Sequence, residues 1–388
     1  MDLTEQQKSA HDKIMDWLKT DQQYISLSGY AGTGKTTLLG ELASSIQSNF
    51  PSYYIYFVTY TGKASTVLSQ KLFGSGINWD KATCTTIHSL MYNYMGTDKK
   101  TKKMLWSKKP EEEITGDLIV IDEASMVTDE IFSDLLQLNK KVLFVGDPGQ
   151  LPPVNGKPFE PLLTTDIKLT EIHRQAWDNP ITRIATQVRR GEEVPFGIYD
   201  NCVARLRKTD KKSQQILMNF YKSIPTDIEK VILCRYNKSR VNKNQSVRQV
   251  AGFPNKPVPG DRVICLQNNK SVGLMNGSIV HIHDVSDVNK WLYKLEFMNY
   301  GHFYAPAESF NNDNPNGKGE ITTGTYVDKS LLLYFDYAYA ITTHKAQGSE
   351  WDKVIVYNEK PNQVSNEEHA QWLYTAITRA KEKLLLVG

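Results

Sequence analysis

Residues 29–36, with the sequence GYAGTGKT, constrain the fold of this chain more than any other segment. They follow a short apolar run, residues 24–27, and precede a helical pattern, residues 37–42. Glycines at these spacings let backbone N–H groups surround phosphates at the N-terminus of a helix. In such a loop the lysine reaches the β- and γ-phosphate oxygens and the threonine hydroxyl binds Mg²⁺. The segment therefore predicts a site for ATP and Mg²⁺. An ordinary glycine-rich turn does not explain its position between a strand and a helix.

Short apolar runs separated by amphipathic stretches fill the first part of the chain. Runs of this length, rich in β-branched and aromatic residues, indicate the buried strands of a parallel α/β sheet flanked by helices. They are residues 24–27, 54–58, 118–121 and 141–145. Open α/β sheets bind ligands at the carboxyl ends of their strands, so the polar residues that follow these runs are the candidate functional residues.

Candidate catalytic groups follow two of these runs. Asp122 is placed to hold the metal ion, and Glu123 to orient or deprotonate the attacking water. The run that ends at Val145 leads to Gln150, whose amide is a candidate sensor of the γ-phosphate. An Asp-Glu pair also begins many helices, and the Gln150 segment is otherwise a Gly/Pro loop. Phosphoryl transfer requires both parts beside the phosphate loop, which favours the catalytic interpretation.

Two arginines are candidates for stabilising the transferred phosphoryl group, whose transition state spreads negative charge over three oxygens. Arg174 stands in the segment LTEIHRQ and Arg379 in the segment YTAITR. A single arginine is more often a surface residue, so these two are singled out by their sequence setting.

The second half of the chain predicts another α/β sheet with an insertion. Its strand-like runs are residues 231–234, 354–357 and 384–387. Between about residues 260 and 329 lie three further short runs, 262–265, 278–282 and 291–295, with an Asn-Gly turn at Asn276. Short strands at regular spacing indicate a small β-barrel.

Composition bounds the class of protein. A chain of 388 residues is long enough for two or three domains, and 40% hydrophobic with 23% charged residues is ordinary for a globular protein. A net charge of +3 permits nucleic-acid binding without indicating it. The four cysteines are scattered, which favours neither a zinc site nor a disulfide framework. With no signal-peptide pattern and no long apolar run, we expect a cytosolic protein without a membrane partner.

The motifs, in this order, resemble those of superfamily 1 helicases of the RecD/Dda branch over nearly the whole chain. The matching segments are residues 3–7 (Q motif), 29–37 (I), 61–64 (Ia), 85–88 (Ib), 122–126 (II), 146–153 (III), Arg174 (IV), 342–350 (V) and 374–379 (VI). Ordered matches of this kind are far more specific than a single motif. The resemblance implies two RecA-like P-loop domains with ATP in the cleft between them.

The resemblance also implies how the chain is divided. Residues 1–90 and 116–175 would form the first RecA-like domain, 1A, and residues 91–115 a small insertion, 1B, that carries the strand-separating pin. Residues 176–258 and 331–388 would form the second RecA-like domain, 2A, and residues 259–330 an SH3-like β-barrel insertion, 2B. No long tower-like extension is present in this insertion.

By resemblance, each site has a residue set. The catalytic set is Lys35, Glu123, Gln150, Arg174 and Arg379, with both arginines reaching the nucleotide. The nucleotide-binding set is Gln7, which reads adenine, Gly29, Ala31, Gly32, Thr33, Gly34, Lys35, Thr36 and Thr37, with Gln347 and Glu350 coupling the nucleotide to DNA. Thr36 and Asp122 are the implied Mg²⁺ ligands.

A track for single-stranded DNA combines hydroxyls and amides for phosphates, a few cations, and aromatic rings for bases. The candidates are Thr61, Lys63, Thr86, His88, Thr343, His344 and Lys345. Structural roles are alternatives: Thr86 also suits a helix start and His88 a helix cap or the core. The candidate pin residues are Tyr92, Tyr94, Met104 and Trp106, for which buried packing is the alternative.

The function implied by the resemblance is an ATP- and Mg²⁺-dependent DNA helicase that moves 5′→3′ on single-stranded DNA as a monomer. It would act at junctions of single- and double-stranded DNA in replication, recombination or repair, in the cytoplasm of a bacterial cell or phage-infected host. A single-strand-binding or recombination protein is the expected partner. One alternative is a nucleic-acid-dependent ATPase that clamps or remodels without unwinding. A P-loop kinase or transferase leaves motifs V and VI unexplained.

Overall fold

The computed structural model describes residues 3–97, 104–153, 156–172, 178–269, 272–313, 325 and 327–388. The chain divides into two compact units, Met1–Arg183 and Ile184–Gly388. Each unit contains a six-stranded sheet. Among the helices that the structure describes, none is both long and apolar enough to cross a lipid bilayer.

The first unit is a parallel sheet covered by helices. Its strands are β1 (Tyr24–Gly29), β2 (Ile55–Thr59), β3 (Ala82–Thr86), β4 (Tyr92–Thr97), β5 (Met104–Lys108), β6 (Leu118–Ile121), β7 (Lys141–Gly146) and β8 (Ile167–Leu169). Its helices are α1 (Glu5–Trp17), α2 (Lys35–Asn49), α3 (Gly62–Leu72), α4 (Ile87–Met91), α5 (Asp129–Leu136) and α6 (Glu160–Thr164). The sheet order is β3-β2-β6-β7-β1-β8, and all of its pairings are parallel.

The central strands of this sheet are buried because both faces are covered. Every residue of β6 is buried, as expected for a parallel strand between two layers of helices. On one face, Ile14 of α1 and Leu38 of α2 join the core; on the other, Ile131 of α5 packs with Phe144 of β7. The polar residues that follow β1, β6 and β7 therefore lie along one edge of the sheet.

A two-stranded antiparallel hairpin, β4 and β5, is inserted between α4 and β6. It lies within the segment in which the pin was predicted, and Tyr94 pairs with Trp106 in its register. The side chains of Tyr94 and Met104 are outside the described part of the chain.

The second unit repeats the plan of a sheet flanked by helices. Its strands are β9 (Gly197–Tyr199), β10 (Val203–Leu206), β11 (Lys230–Cys234), β12 (Arg262–Cys265), β13 (Ile279–His281), β14 (Asp284–Asn289), β15 (Leu292–Phe297), β16 (Gly301–Pro306), β17 (Phe335–Tyr337), β18 (Ala340–Thr342), β19 (Trp351–Tyr357) and β20 (Ala380–Val387). Its helices are α8 (Lys211–Ser223), α9 (Asn237–Val250), α10 (Thr343–Ala346) and α11 (Asn366–Ile377), while α7 (Pro180–Arg189) spans the division between the units. The sheet order is β18-β11-β19-β20-β10-β9, parallel except for β9.

The insertion in the second unit consists of two three-stranded antiparallel sheets, β13-β12-β17 and β14-β15-β16. Their apolar faces share one core: the rings of Phe297 and Phe335, one from each sheet, lie 5.1 Å apart. The α/β class with a parallel sheet is confirmed. The SH3-like form of the insertion stays a prediction, since the described strands form two small sheets.

Candidate nucleotide and nucleic-acid sites

The loop between β1 and α2 has the backbone of a phosphate site. Gly34 is the N-cap of α2 in the left-handed region, with φ of 76°, and no side chain caps the helix. No side chain therefore occupies the first N–H groups of α2, and an incoming phosphate can accept hydrogen bonds from them. A Cβ atom at Gly29 would lie 2.8 Å from Thr33 Oγ1 and 3.1 Å from Leu169 Cβ, so only glycine fits there.

Lys35 lies over this loop. Its Nζ donates hydrogen bonds to the carbonyl oxygens of Gly29, at 2.7 Å, and of Tyr30, at 3.1 Å. The hydroxyl of Thr33 also donates to the Tyr30 carbonyl, at 2.8 Å. Charged acceptors form stronger hydrogen bonds than carbonyls, so a phosphate placed in the loop would compete for the lysine.

Gln7 is tied to the same loop from α1. Its side chain is almost fully buried, and its Nε2 donates to the carbonyls of Thr33 and Gly34, each at 3.3 Å. Its Oε1 accepts from the backbone N–H of Thr4 at 2.9 Å, which completes a capping box. The amide predicted to read adenine thus contacts the backbone of the phosphate loop, a link that the sequence did not reveal. Its role toward adenine stays a prediction.

Glu123 adopts an unusual backbone conformation after β6, with φ of 56°. The other non-glycine residues with positive φ in the described ranges are Asn and Asp, which tolerate this region far better than Glu. Strain of about 1–3 kcal/mol at such a residue is typical of functional sites. Asp122 remains in register with β2, since its N–H donates to the Val58 carbonyl at 2.9 Å.

The carboxyl end of β7 lies against the turn that follows the Asp122–Glu123 pair. A Cβ atom at Gly146 would lie 3.1 Å from the backbone nitrogen of Ser125 and 3.2 Å from that of Ala124. The buried Asp147 accepts from the Gly149 N–H at 2.8 Å, which shapes the turn that carries Gln150. Since β6, β7 and β1 are neighbours, the phosphate loop, the carboxylates and Gln150 share one edge of the first sheet.

In the second unit, motifs V and VI are joined through Arg379. Its guanidinium is almost fully buried and donates to the carbonyls of Thr375, at 3.1 Å, and Ser349, at 3.4 Å. Gln347 is buried near this segment, and Glu350 is exposed. The other predicted arginine, Arg174, lies outside the described residues.

The hydroxyls predicted for the DNA track cap helices. Thr61 accepts from the Ala64 N–H at the start of α3, and Thr86 accepts from the Ser89 N–H at the start of α4, both at 3.2 Å. The structural alternative for Thr86 therefore applies. Thr61 follows the carboxyl end of β2, and Thr86 is the last residue of the neighbouring parallel strand β3, opposite Thr59 in the register. Lys63 is half-buried on α3.

His88 belongs to an aromatic cluster that the sequence did not predict. Its ring lies 5.9 Å from that of Tyr60, 5.7 Å from Tyr92 and 5.4 Å from Trp106. Burial lowers the pKa of His88, so the ring is neutral at physiological pH and suited to stacking. Tyr92 donates its hydroxyl to Asp134 at 2.7 Å, whereas Trp106 is 40% exposed. Trp106 is thus the accessible pin candidate, and Tyr92 is anchored.

Motif V presents three predicted DNA residues at the carboxyl end of β18. Thr343 is fully buried, and its hydroxyl has no hydrogen-bond partner among the described residues. Its side chain is therefore not at the surface. His344 is half-buried, and burial, together with the Arg235 charge, lowers its pKa. Lys345 is exposed.

Comparison with known proteins identifies the family. The sequence family described as AAA domain matches residues 2–208, more than half of the chain. The family described as UvrD-like helicase C-terminal domain matches residues 337–387. The ATP-dependent DNA helicase dda of Enterobacteria phage T4 is 24% identical over 449 residues, covering 100% of this chain and 99% of that protein. The chain has an AAA domain and belongs to the superfamily 1 helicases of the RecD/Dda branch.

Other relatives are longer than this chain. The ATP-dependent RecD2 DNA helicase of Deinococcus radiodurans is 25% identical over 409 residues, and the chain spans 49% of its length. This chain also spans 36% of the length of an uncharacterised protein of Methanocaldococcus jannaschii, to which it is 25% identical. Among solved structures, Pif1 helicase from Bacteroides in complex with ADP-AlF3 and ssDNA has a TM-score of 0.55 at 19% identity, covering 100% of this chain and 92% of Pif1. This chain thus has the fold of a Pif1 helicase.

Proposed function

We propose that this protein is an ATP- and Mg²⁺-dependent DNA helicase that moves 5′→3′ on single-stranded DNA and unwinds duplexes in replication, recombination or repair. One observation carries the proposal. The phosphate loop, Glu123 and Gln150 lie at the carboxyl ends of β1, β6 and β7, and the neighbouring strands β2 and β3 of the same parallel sheet lead at that edge to Thr61 and His88. A change at the nucleotide can therefore be transmitted to a nucleic-acid surface through neighbouring strands.

The nucleotide site has the groups that ATP hydrolysis needs. The first turn of α2 and Lys35 bind the phosphates, and the hard oxygen atoms of Thr36 and Asp122 suit Mg²⁺. When bound, Mg²⁺ neutralises charge on the β- and γ-phosphates. Glu123 accepts the proton of the attacking water, while Gln150 orients the water or the γ-phosphate.

The nucleic-acid surface proposed here reads no base edges. The Thr61 hydroxyl and the amino groups of Lys63 and Lys345 contact phosphates, and the cluster of Tyr60, His88 and Trp106 offers rings for stacking. Binding is therefore tolerant of sequence and weakens as the salt concentration rises.

Unwinding of duplexes with different overhangs tests the proposal most directly. We expect ATP-dependent strand separation of a duplex with a 5′ single-stranded overhang and none of a duplex with a 3′ overhang or blunt ends. Strand release is measured with a fluorophore and quencher on opposite strands. A preference for the 3′ overhang refutes the direction. ATPase activity stimulated by single-stranded DNA without any strand separation favours the clamp or remodelling alternative instead.

Trp106 is the proposed pin residue, because it is the exposed member of the aromatic cluster at the inserted hairpin. Stacking of a base on an aromatic side chain contributes about 1–3 kcal/mol, so Trp106→Ala should slow unwinding about tenfold or more. Hydrolysis stimulated by single-stranded DNA should change little, because the phosphate loop and its carboxylates are untouched. Both rates are measured on the same 5′-overhang substrate.

Trp291 provides the matched control for this variant, because it is a tryptophan 52% exposed on the β14–β15 hairpin, far from these motifs in the sequence. Trp291→Ala should leave unwinding unchanged, and Trp106→Phe should retain most of it. Equal losses of hydrolysis and unwinding in Trp106→Ala would show that Trp106 serves the fold and does not separate strands.

A further inference from the structure

Helix α9 carries a buried polar stripe along one face. Residues four apart lie above one another on a helix, and three such positions are almost fully buried although polar. They are Arg240, Asn244 and Arg248. Buried polar side chains require partners, and each of these finds its partners in the segments that enter or leave the β-sheet insertion.

Asn244 fixes the strand that leads into motif V. Its Oδ1 accepts from the Ala340 N–H at 2.7 Å, and its Nδ2 donates to the Ala340 carbonyl at 3.0 Å and to the Tyr337 carbonyl at 3.1 Å. The start of β18 is thereby held to α9. Since β18 is only three residues long, α10 begins immediately after this anchor.

Arg240, one turn earlier, forms a buried ion pair with Asp336. Its Nη1 donates to Asp336 Oδ2, and its Nη2 donates to the Asn312 carbonyl at 2.5 Å. The other carboxylate oxygen of Asp336 accepts the backbone N–H groups of Asn311 and Tyr337, each at 2.8 Å. Both oxygens of Asp336 are thus committed inside the protein.

The charges of both members of this pair act on the amino group of Lys345. Arg240 lowers the pKa of Lys345, and Asp336 raises it. The side chain is exposed and has no hydrogen-bond or ion-pair partner among the residues that the structure describes. The neighbouring titratable groups in motif V and beside it include His344, on the same helix, and Arg235, which lowers the pKa of His344. Asp336 is the carboxylate whose charge acts on the Lys345 amino group, so we take it as the competitor for this amine once Arg240 is removed.

We propose that Arg240 is a positioning residue for nucleic-acid binding: by holding Asp336, it keeps this carboxylate away from Lys345 and leaves the Lys345 amine available to a DNA phosphate. The inference rests on the proposed function, because it takes Lys345 as part of the DNA track. It also explains why a buried ion pair, which is no more stabilising than an apolar pair, occupies this place.

The pH dependence of binding follows from the same arrangement. Dehydration, together with the Arg240 charge, lowers the pKa of Lys345 to about 8, against the opposing effect of Asp336. Because Lys345 is exposed, solvent screens both charges. A lysine with a lowered pKa loses its charge as pH rises, so affinity for DNA should fall on the alkaline side. With Asp336 released, the pKa rises and this loss moves to higher pH.

The test is a double-variant comparison with fluorescein-labelled oligothymidylate as the probe and no nucleotide present. Arg240→Gln should weaken binding about tenfold at pH 7, the size of one lost charge-assisted contact. The double variant Arg240→Gln/Asp336→Asn, which removes the competing carboxylate as well, should recover affinity to within about threefold of the unchanged protein. Arg240→Lys, which keeps a cation beside Asp336, should also retain binding.

Arg248→Gln is the matched control, since Arg248 lies on the same stripe and pairs with Asp261. A purely structural role predicts that Arg240→Gln and Arg248→Gln weaken binding equally and that neither changes its pH profile; this outcome overturns the inference. Thermal unfolding of each variant reports the folded fraction. If Arg240→Gln does not fold, the pH profiles of DNA binding by Arg240→Lys and by the double variant are compared instead. Identical profiles overturn the inference.

Lys345→Gln separates failure of the inference from failure of the proposed function. It should weaken binding and reduce the dependence of log affinity on log salt by about one ion. Normal binding in Lys345→Gln removes Lys345 from the DNA track. If Lys345→Gln weakens binding while Arg240→Gln leaves it unchanged, the positioning role of Arg240 is overturned and Lys345 keeps its place in the DNA track.

Discussion

Lys35→Ala should nearly abolish ATP hydrolysis, lowering kcat by about 10²–10³-fold. The Lys35 amino group is held over the phosphate loop by two carbonyls, and no other cation of this loop can replace it. Removing a charged group aimed at developing negative charge costs about 3–4 kcal/mol of transition-state stabilisation, and each 1.4 kcal/mol is a factor of ten. Turnover is measured by phosphate release with saturating single-stranded DNA, and nucleotide affinity by titration with Mg-ATP.

The alanine substitution should also weaken Mg-ATP binding, because Lys35 contacts phosphates in the ground state as well as in the transition state. Lys13→Ala, at an exposed lysine of α1, is the control and should turn over normally. Normal turnover in Lys35→Ala would place the hydrolytic site elsewhere and remove the basis for assigning Glu123 and Gln150.

The central strands could be predicted from sequence because local chemistry alone defines them. β6 and β7 are apolar runs, buried over almost their whole length. By contrast, β3 has the sequence ATCTT and β8 has three residues, so neither shows an apolar run or a period. Their extended conformation comes from pairing with β2 and β1 at the sheet margins, a tertiary effect that overrides weak local preference.

The same limit applies to the sites. The phosphate loop and the Asp122–Glu123 pair are contiguous in sequence, so the residue types and the strand context were enough to place them. The cluster around His88 joins residues from β5 and from the loop after β2, and the Arg240–Asp336 pair joins residues 96 positions apart. No spacing rule connects such residues, because they meet only when the sheet and its insertion have formed. The left-handed conformation of Glu123 could not be predicted either, because glutamate has no local preference for that region.

Glu123→Gln should trap the protein with ATP bound, leaving nucleotide affinity nearly unchanged while kcat falls by about 10²–10⁴-fold. The amide is nearly isosteric with the carboxylate, so the backbone at positive φ is preserved, but it cannot accept a proton from water. The effect should thus appear in kcat alone, in contrast to Lys35→Ala, which should alter both kcat and affinity. Single-turnover hydrolysis measures the chemical step, and filter binding with Mg-ATP measures affinity.

Glu130→Gln is the matched control, because Glu130 is an exposed carboxylate in the first turn of α5, seven positions further along the chain. It should retain full turnover. If Glu123→Gln keeps more than about a tenth of the activity, general-base catalysis at this position is excluded, since such a base contributes at least about a hundredfold. The positive φ of Glu123 would then reflect loop packing alone. If hydrolysis is lost while Mg-ATP still binds, the strained conformation positions the carboxylate for the attacking water, and the structural cost of that strain is explained by catalysis.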